Sequence, residues 1–78
     1  MEIKMLYFAH VRDITGKSGE LFDLNGNTLQ SLKIKIFEKY PNLEKENNLL
    51  IAVNNEYVKE CNLKENDTVA FFPPVSGG

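Results

Sequence analysis

Hydrophobic and polar positions alternate at the start of the chain, and a second apolar run lies near its end. Over residues 2–8, Ile3, Met5 and Tyr7 share one side of the pattern, and the second half of the segment is apolar on both sides. This pattern predicts a strand that enters the middle of a sheet. Residues 68–72, TVAFF, predict a final strand of the same kind. We therefore expect the first and last strands to lie at the centre of the sheet.

Helical spacing replaces this alternation in the middle of the chain. Thr28 is a good N-cap, and Pro41 ends the predicted helix. The apolar positions between them fall on one helical face: Leu29, Leu32, Ile36, Phe37 and Tyr40. A shorter segment, residues 9–16, predicts one or two helical turns that stop at Gly16. The residues after Pro41, NLEKENN, predict a polar loop.

Three further strands complete the prediction. Residues 20–24 predict a short strand around the apolar pair Leu21-Phe22, which the turn pair Asn25-Gly26 ends. Residues 49–53 and 56–58 flank the turn pair Asn54-Asn55. Residues 59–67 predict a loop with one tight turn. The pattern therefore predicts an α+β fold in which a sheet of four to five strands packs on one main helix.

Composition narrows the classes of function. The chain has 78 residues, which suits one domain, and its net charge of −2 argues against a nucleic-acid partner. No apolar run approaches the roughly 20 residues of a membrane span. One Cys and one His can form neither an internal disulfide nor a zinc site. These features predict a cytoplasmic protein that binds no metal, no nucleic acid and no membrane.

No group of side chains suggests catalysis by the chain alone. His10 is expected to be a surface residue, and Cys61 follows a carboxylate, Glu60, which disfavours a reactive thiolate. The acidic residues Asp13, Glu20 and Asp23 are expected to be solvated at the surface and not to form a pair for acid–base catalysis. The chain also lacks the glycine spacing of a phosphate-binding loop. We therefore expect a protein that is not an enzyme on its own and binds no cofactor.

The sequence FFPPVSGG at residues 71–78 is the unusual chemical feature. Phe72 would anchor a strand, and Pro73 and Pro74 favour an extended exit from it. Gly77 and Gly78 have no side chains and would let a backbone carboxylate enter a narrow channel. We expect a globular domain over residues 1–72 and an extended, flexible tail over residues 73–78. The alternative is a frayed tail whose prolines only prevent association between sheet edges.

The chain resembles the small, sulfur-carrying subunits of molybdopterin synthase, a family with the ubiquitin-like β-grasp fold. The resemblance covers essentially the whole chain and rests on four segments: LYFAHVRDITG at 6–16, TLQSLKIKIFEKYP at 28–41, LLIAVNNEYV at 49–58 and LKENDTVAFFPPVSGG at 63–78. The last segment is the most specific, because the aromatic pair, the two prolines and the final glycines stand where this family has them.

The resemblance implies a fold and a role. The first and last strands would be parallel neighbours in a β-grasp sheet. The Gly78 carboxylate would be adenylated by an ATP-dependent, ubiquitin-activating-like enzyme, and a sulfur donor protein would convert it to a thiocarboxylate. The tail would then enter the large catalytic subunit and give its sulfur to cyclic pyranopterin monophosphate. Two such transfers would complete the dithiolene, and two small and two large subunits would form the synthase.

The same resemblance implies roles for particular residues. Gly78 would bear the sulfur, and Gly77 would give passage through the channel of the partner. The remaining residues would contact partners: Phe72, Pro73, Pro74, Val75, Ser76, Phe8 and Arg12. For Phe8 a core position is the competing interpretation, and for Arg12 a solvated surface charge.

Other functions remain compatible with the sequence. The chain could carry sulfur for thiamine or tRNA thiolation, although thiamine carriers of this fold usually lack the FFPPVS approach. A ubiquitin-like modifier that forms isopeptide bonds would use the same activated glycine. An interaction module with an inert tail is a further alternative, and an extra residue after Gly78 would leave such a module functional.

Overall fold

A computed structural model describes residues 1–46 and 48–73 of the chain. The elements of this part of the chain follow in the order β1 (Glu2–Tyr7), α1 (Ala9–Thr15), β2 (Gly19–Asp23), α2 (Leu29–Lys39), α3 (Pro41–Glu44), β3 (Leu50–Val53), β4 (Glu56–Tyr57) and β5 (Thr68–Phe72). The predicted α+β class and the order of the main elements are confirmed.

The strands form one sheet with the order β2-β1-β5-β3-β4. Strands β1 and β5 are parallel neighbours, and the other pairs are antiparallel. The prediction that the first and last strands lie inside the sheet is therefore confirmed. This arrangement sets the end of β5 beside the end of β1, so the chain leaves the sheet next to Phe8.

One face of the sheet packs on α2 and forms the core. Because successive strand residues point to opposite faces, Ile3, Met5 and Tyr7 all turn inward and are at most 1% exposed. Leu29, Leu32 and Ile36 of α2 meet them and are fully buried. Phe37 and Tyr40, predicted for the same stripe, pack at its margin.

The ends of the helices follow the predicted signals. Thr28 begins α2 with a capping box, in which its hydroxyl accepts a hydrogen bond from the Ser31 amide at 3.1 Å. Gly16 ends α1 in the left-handed region at φ 79°, and its N–H donates to the carbonyl of Arg12. The two-residue turn at Asn54 and Asn55 has φ of 49° and 72°, as a tight hairpin turn requires.

The polar loop predicted after α2 is wrong in part. Pro41 ends α2, but it also begins α3 as the first helical residue, where its missing N–H costs nothing. Leu43 projects from this turn into the core and is fully buried. A single apolar residue in a polar stretch was thus the signal for a helical turn that closes one end of the core.

Candidate functional site

The chain leaves the sheet at the end of β5. The structure describes only some of the residues that were predicted to contact partners there. Phe72 and Pro73 are part of the described structure, whereas Pro74, Val75, Ser76, Gly77 and Gly78 lie outside the described residues. The site can therefore be built from the surface around Phe72. Strand β5 is held between β1 and β3, and Phe72 at its end pairs with Leu50 of β3.

Phe71 and Phe72 point to opposite sides of the sheet. Phe71 is fully buried in the core, and Phe72 lies half-buried on the face away from α2. On that face, the Phe8 ring stacks on the Phe72 ring with 4.7 Å between centroids and an interplanar angle of 6°. The Phe8 amide also donates to the carbonyl of Phe71 at 3.3 Å. The end of β1 is therefore joined to the start of the tail through both ring and backbone.

Phe8 is not a core residue, because 41% of its surface is exposed. The chain reverses direction at this point, and Ala9 takes a left-handed φ of 50° as α1 begins. A left-handed conformation strains an alanine by roughly 1–2 kcal/mol. Phe8 itself keeps an extended backbone, with φ −120° and ψ 149°, so the alternation that buries Tyr7 sets the Phe8 ring on the outer face beside Phe72.

Tyr57 belongs to the same surface, although it was not among the predicted site residues. It is 68% exposed, and its ring centroid lies 6.0 Å from that of Phe72 at an angle of 57°. The only sequence signal was the alternation of side chains along β4. It places Tyr57 on the same face of the sheet as Ala52, its partner in β3. Its neighbour Phe72 belongs to a later strand of the chain, and only the pairing of β3 with β5 connects them.

We call this surface the aromatic face, and its residues belong to four strands and the β1–α1 junction. They are Leu6, Phe8, Ala52, Tyr57, Ala70 and Phe72. The face contains a shallow depression of about 240 Å³, which the polar residues Asn55 and Thr68 complete. No charged residue of the described chain lines this depression. An exposed, uncharged group of aromatic residues is typical of a protein–protein contact.

Arg12 is exposed on α1, the helix that follows Phe8. Among residues 1–46 and 48–73, no carboxylate lies within 4 Å of its guanidinium. The charge is therefore available to a partner, but the structure gives it no contact with the aromatic face. Its predicted role in partner binding stays a prediction.

The remaining candidate side chains offer no nucleophile. Burial, followed by the nearby carboxylates of Glu60 and Asp67, raises the pKa of the Cys61 thiol. His10 is paired with Glu46 at 3.0 Å on the surface. Within the described part of the chain, no three His, Cys, Asp or Glu residues are grouped as metal ligands.

Glu20 corrects the prediction of a solvated carboxylate. Its side chain is only 11% exposed and accepts hydrogen bonds of 2.6 Å from Tyr7, Tyr40 and Lys39. Burial alone would raise the pKa of Glu20, but the three hydrogen bonds outweigh it and lower the pKa to about 2. Burial and the hydrogen bond to Glu20 raise the pKa of Tyr7. The cluster holds β2, β1 and α2 together on the side of the sheet opposite the aromatic face.

Comparisons with known proteins agree on the family to which this chain is similar. The family model described as "ThiS family" matches residues 5–78. The chain is 37% identical to the molybdopterin synthase sulfur carrier subunit of Chlamydomonas reinhardtii, and the alignment covers 100% of both chains. In addition, no helix of the described residues has the length and apolar character needed to cross a membrane.

Two solved structures show the same fold. A putative molybdopterin converting factor, subunit 1, from Pyrococcus furiosus is 30% identical and superimposes with a TM-score of 0.88, covering 96% of this chain and 99% of the other. The small archaeal modifier protein 1 of Methanosarcina acetivorans is 25% identical with a TM-score of 0.81, covering 99% of this chain and 96% of the other. The predicted ubiquitin-like β-grasp fold is thereby confirmed.

Proposed function

The chain belongs to the ThiS family, and we propose that it is the sulfur carrier subunit of a molybdopterin synthase. It supplies a reactive terminus and a docking surface, while its partners supply catalysis. The observation that carries this proposal is the position of Phe72, because its ring lies in the aromatic face and its backbone leads directly into PPVSGG. The full-length likeness to a named sulfur carrier subunit supports the same assignment.

In this proposal the domain comprises residues 1–72 and the reactive tail residues 73–78. A carboxylate at Gly78 is ionised at neutral pH and is a poor electrophile. An ATP-dependent activating enzyme therefore joins AMP to the carboxylate and releases pyrophosphate, and sulfide-level sulfur from a donor protein then displaces AMP to leave a thiocarboxylate. Such covalent intermediates divide a difficult substitution into easier steps. ATP is a substrate of that enzyme and does not bind this chain as a cofactor.

The aromatic face binds the large subunit of the synthase while the tail enters its active site. Phe72, Pro73 and Phe8 form the described part of this contact. Arg12, exposed on α1, contributes a positive charge to the same partner. Pro74, Val75 and Ser76 continue the contact along the tail, and Gly77 gives room to Gly78 in the channel. There the thiocarboxylate gives its sulfur to cyclic pyranopterin monophosphate. We further propose two small and two large subunits in a cytoplasmic complex.

Intact-mass spectrometry tests the chemistry directly. The chain is incubated with the activating enzyme, ATP and a sulfur donor, and we expect one oxygen to be replaced by sulfur. A variant with one alanine added after Gly78 keeps every domain contact and should gain no sulfur. Sulfur on both proteins, or on neither when the activating enzyme is demonstrably competent, would contradict the proposal.

A conversion assay then distinguishes the pathways. The thiocarboxylated chain should convert cyclic pyranopterin monophosphate when the large subunit is present, and deletion of Gly78 should abolish conversion without changing the unfolding transition. Sulfur loading without conversion would instead favour a carrier for thiamine or tRNA thiolation.

A modifier function is the second candidate, and the fold of the small archaeal modifier protein 1 is the observation that favours it. Such a modifier would use the same activated glycine to acylate substrate lysines. Trypsin cleaves this chain last after Lys64, so conjugates would appear as peptides whose lysine bears the remnant ENDTVAFFPPVSGG, and they should depend on Gly78. Their absence in cells that make the thiocarboxylate would leave the carrier function alone.

A further inference from the structure

A second depression, a groove, adjoins the aromatic face. It lies at the open end of the β3–β4 hairpin, away from the Asn54-Asn55 turn, and it encloses about 480 Å³ beside α2. Its apolar lining residues are Leu49, Leu50, Ile51, Tyr57 and Val58. A groove of this size accommodates an apolar side chain together with the backbone on either side of it.

The charges at this groove have one sign. Lys33 from α2 and Lys59 from the end of the hairpin line it, and no described Asp or Glu does. Neither lysine forms an ion pair within residues 1–46 and 48–73. This local positive charge stands out because the whole chain carries a net charge of −2. The groove therefore favours carboxylates over lysine or arginine side chains.

Tyr57 joins the groove to the aromatic face, since its side chain lines both. A protein that covers Phe72 and Phe8 must therefore extend to Tyr57 at the border of the groove. Continuity of the surface and the sign of its charge together indicate which kind of segment binds there. The segment carries an apolar side chain between carboxylates, and it belongs to the partner that covers the aromatic face.

We propose that the groove bounded by Lys33 and Lys59 binds an acidic segment of the large synthase subunit. This inference rests on the proposed function, because it takes that subunit as the protein on the aromatic face. The segment adds a second point of attachment beside the tail. It contributes to affinity and to the choice of partner without taking part in sulfur transfer.

Charge reversal at the groove tests this inference. In the double variant Lys33→Glu with Lys59→Glu, we expect the Kd for the purified large subunit to rise about tenfold at low salt. The matched control reverses two exposed lysines that do not line the groove, Lys35→Glu with Lys45→Glu. The control has the same net charge and should change the Kd less than about twofold. The Kd of the groove variant should also depend less on salt than that of the unaltered chain.

The outcomes distinguish failure of the groove proposal from failure of the proposed function. Equal effects of the two double variants, with normal binding and sulfur transfer by the unaltered chain, would overturn the groove alone. If the unaltered chain neither binds the large subunit nor transfers sulfur to cyclic pyranopterin monophosphate, both proposals would be overturned. The neutral pair Lys33→Gln with Lys59→Gln guards against misfolding, and it should raise the Kd about threefold while leaving the unfolding transition in place.

Discussion

Phe71 and Phe72 are neighbours in the chain, but they belong to two different regions of the molecule. Phe71 is fully buried between the sheet and α2, and Phe72 is half-buried on the aromatic face. The alternation of a strand separates them, since successive side chains point to opposite faces. The inner region holds the fold together, whereas the outer region leaves apolar surface uncovered. The same residue type thus contributes to stability at one position and, in our proposal, to binding at the next.

Phe71→Ala should have the largest effect on the fold. Removing a fully buried phenylalanine leaves a cavity in the core and costs about 3–5 kcal/mol in the free energy of unfolding. A domain of this size has little stability beyond that, so we expect the variant to be largely unfolded at 37 °C. Chemical denaturation followed by circular dichroism would measure the loss. A loss below about 1 kcal/mol would show that the inner and outer faces do not differ as described.

Glu20→Gln tests the polar part of the inner region. The folded-state pKa of about 2 lies below the ordinary value of 4.5, so the ionised carboxylate stabilises the fold. This stabilisation is complete above about pH 4.5 and is lost as the pH falls toward 2. At neutral pH we expect the substitution to cost on the order of 2 kcal/mol. Unfolding measured at several pH values should also show a weaker acid dependence in this range.

Asp23→Asn is the matched control for that prediction. Asp23 lies on the same strand, but its side chain is 94% exposed and meets only the N-terminal amine at 3.6 Å. Exposed pairs of this kind contribute little, so the change should alter the free energy of unfolding by less than about 0.5 kcal/mol. If Asp23→Asn and Glu20→Gln cost equal stability, the Glu20 cluster would not be the source of the acid dependence.

Phe72→Ala should reverse the pattern of Phe71→Ala. Losing the stacked contact with Phe8 should cost only about 1 kcal/mol of stability, since Phe72 lacks the full burial of its neighbour. Binding to the large subunit should weaken by about 2 kcal/mol, or roughly 30-fold, as expected for a central aromatic residue of an interface. Titration calorimetry would measure the change in Kd.

Leu21→Ala provides the control on the outer side of the sheet. Leu21 is 65% exposed on the edge strand β2, and it lies outside the aromatic face. Its removal should leave the Kd unchanged within about twofold, since it adds no contact to a partner seated on Phe72. Equal weakening by both substitutions would mean that the whole sheet surface, and not the aromatic face, binds the partner.

The order of the elements was predictable because each carries a local signal. Alternation indicated β1, an apolar run indicated β5, Thr28 and Pro41 bounded α2, and Asn54-Asn55 marked the hairpin turn. The parallel pairing of β1 with β5 came from the family resemblance, since no local pattern states which strands are neighbours. The short helix α3 was missed because only Leu43 marks its inward side.

The candidate site was predictable only in part. FFPPVSGG identified the tail and Phe72 from sequence, and the resemblance added Phe8. Tyr57 was missed because its contact with Phe72 depends on how β3 pairs with both β4 and β5. Glu20 was misjudged for the same reason, since Tyr7, Tyr40 and Lys39 reach it from other elements. Contacts between elements distant in sequence leave no periodic signal in any one of them.

The two ends of α1 test whether backbone strain beside Phe8 contributes to the aromatic face. Ala9 and Gly16 both take left-handed φ values, 50° and 79°, but only Gly16 is of a type that does so without strain. Gly16→Ala should therefore destabilise the fold by about 1 kcal/mol, although an added Cβ would meet no atom within 4 Å. Thermal unfolding would register this as a lower Tm.

Ala9→Gly should have the smallest effect, and of the opposite sign. Relief of the strain gains roughly 1–2 kcal/mol, and the greater freedom of glycine in the unfolded chain removes about 0.5–1 kcal/mol of that gain. The difference lies between about 0 and 1.5 kcal/mol, so we expect a net stabilisation centred near about 0.7 kcal/mol, measured as a slightly higher Tm. The Kd for the large subunit should rise in spite of this gain, because a freer junction holds the Phe8 ring less firmly on Phe72. A variant that is less stable, or that binds as tightly as the unaltered chain, would show that strain at Ala9 does not help to form the aromatic face.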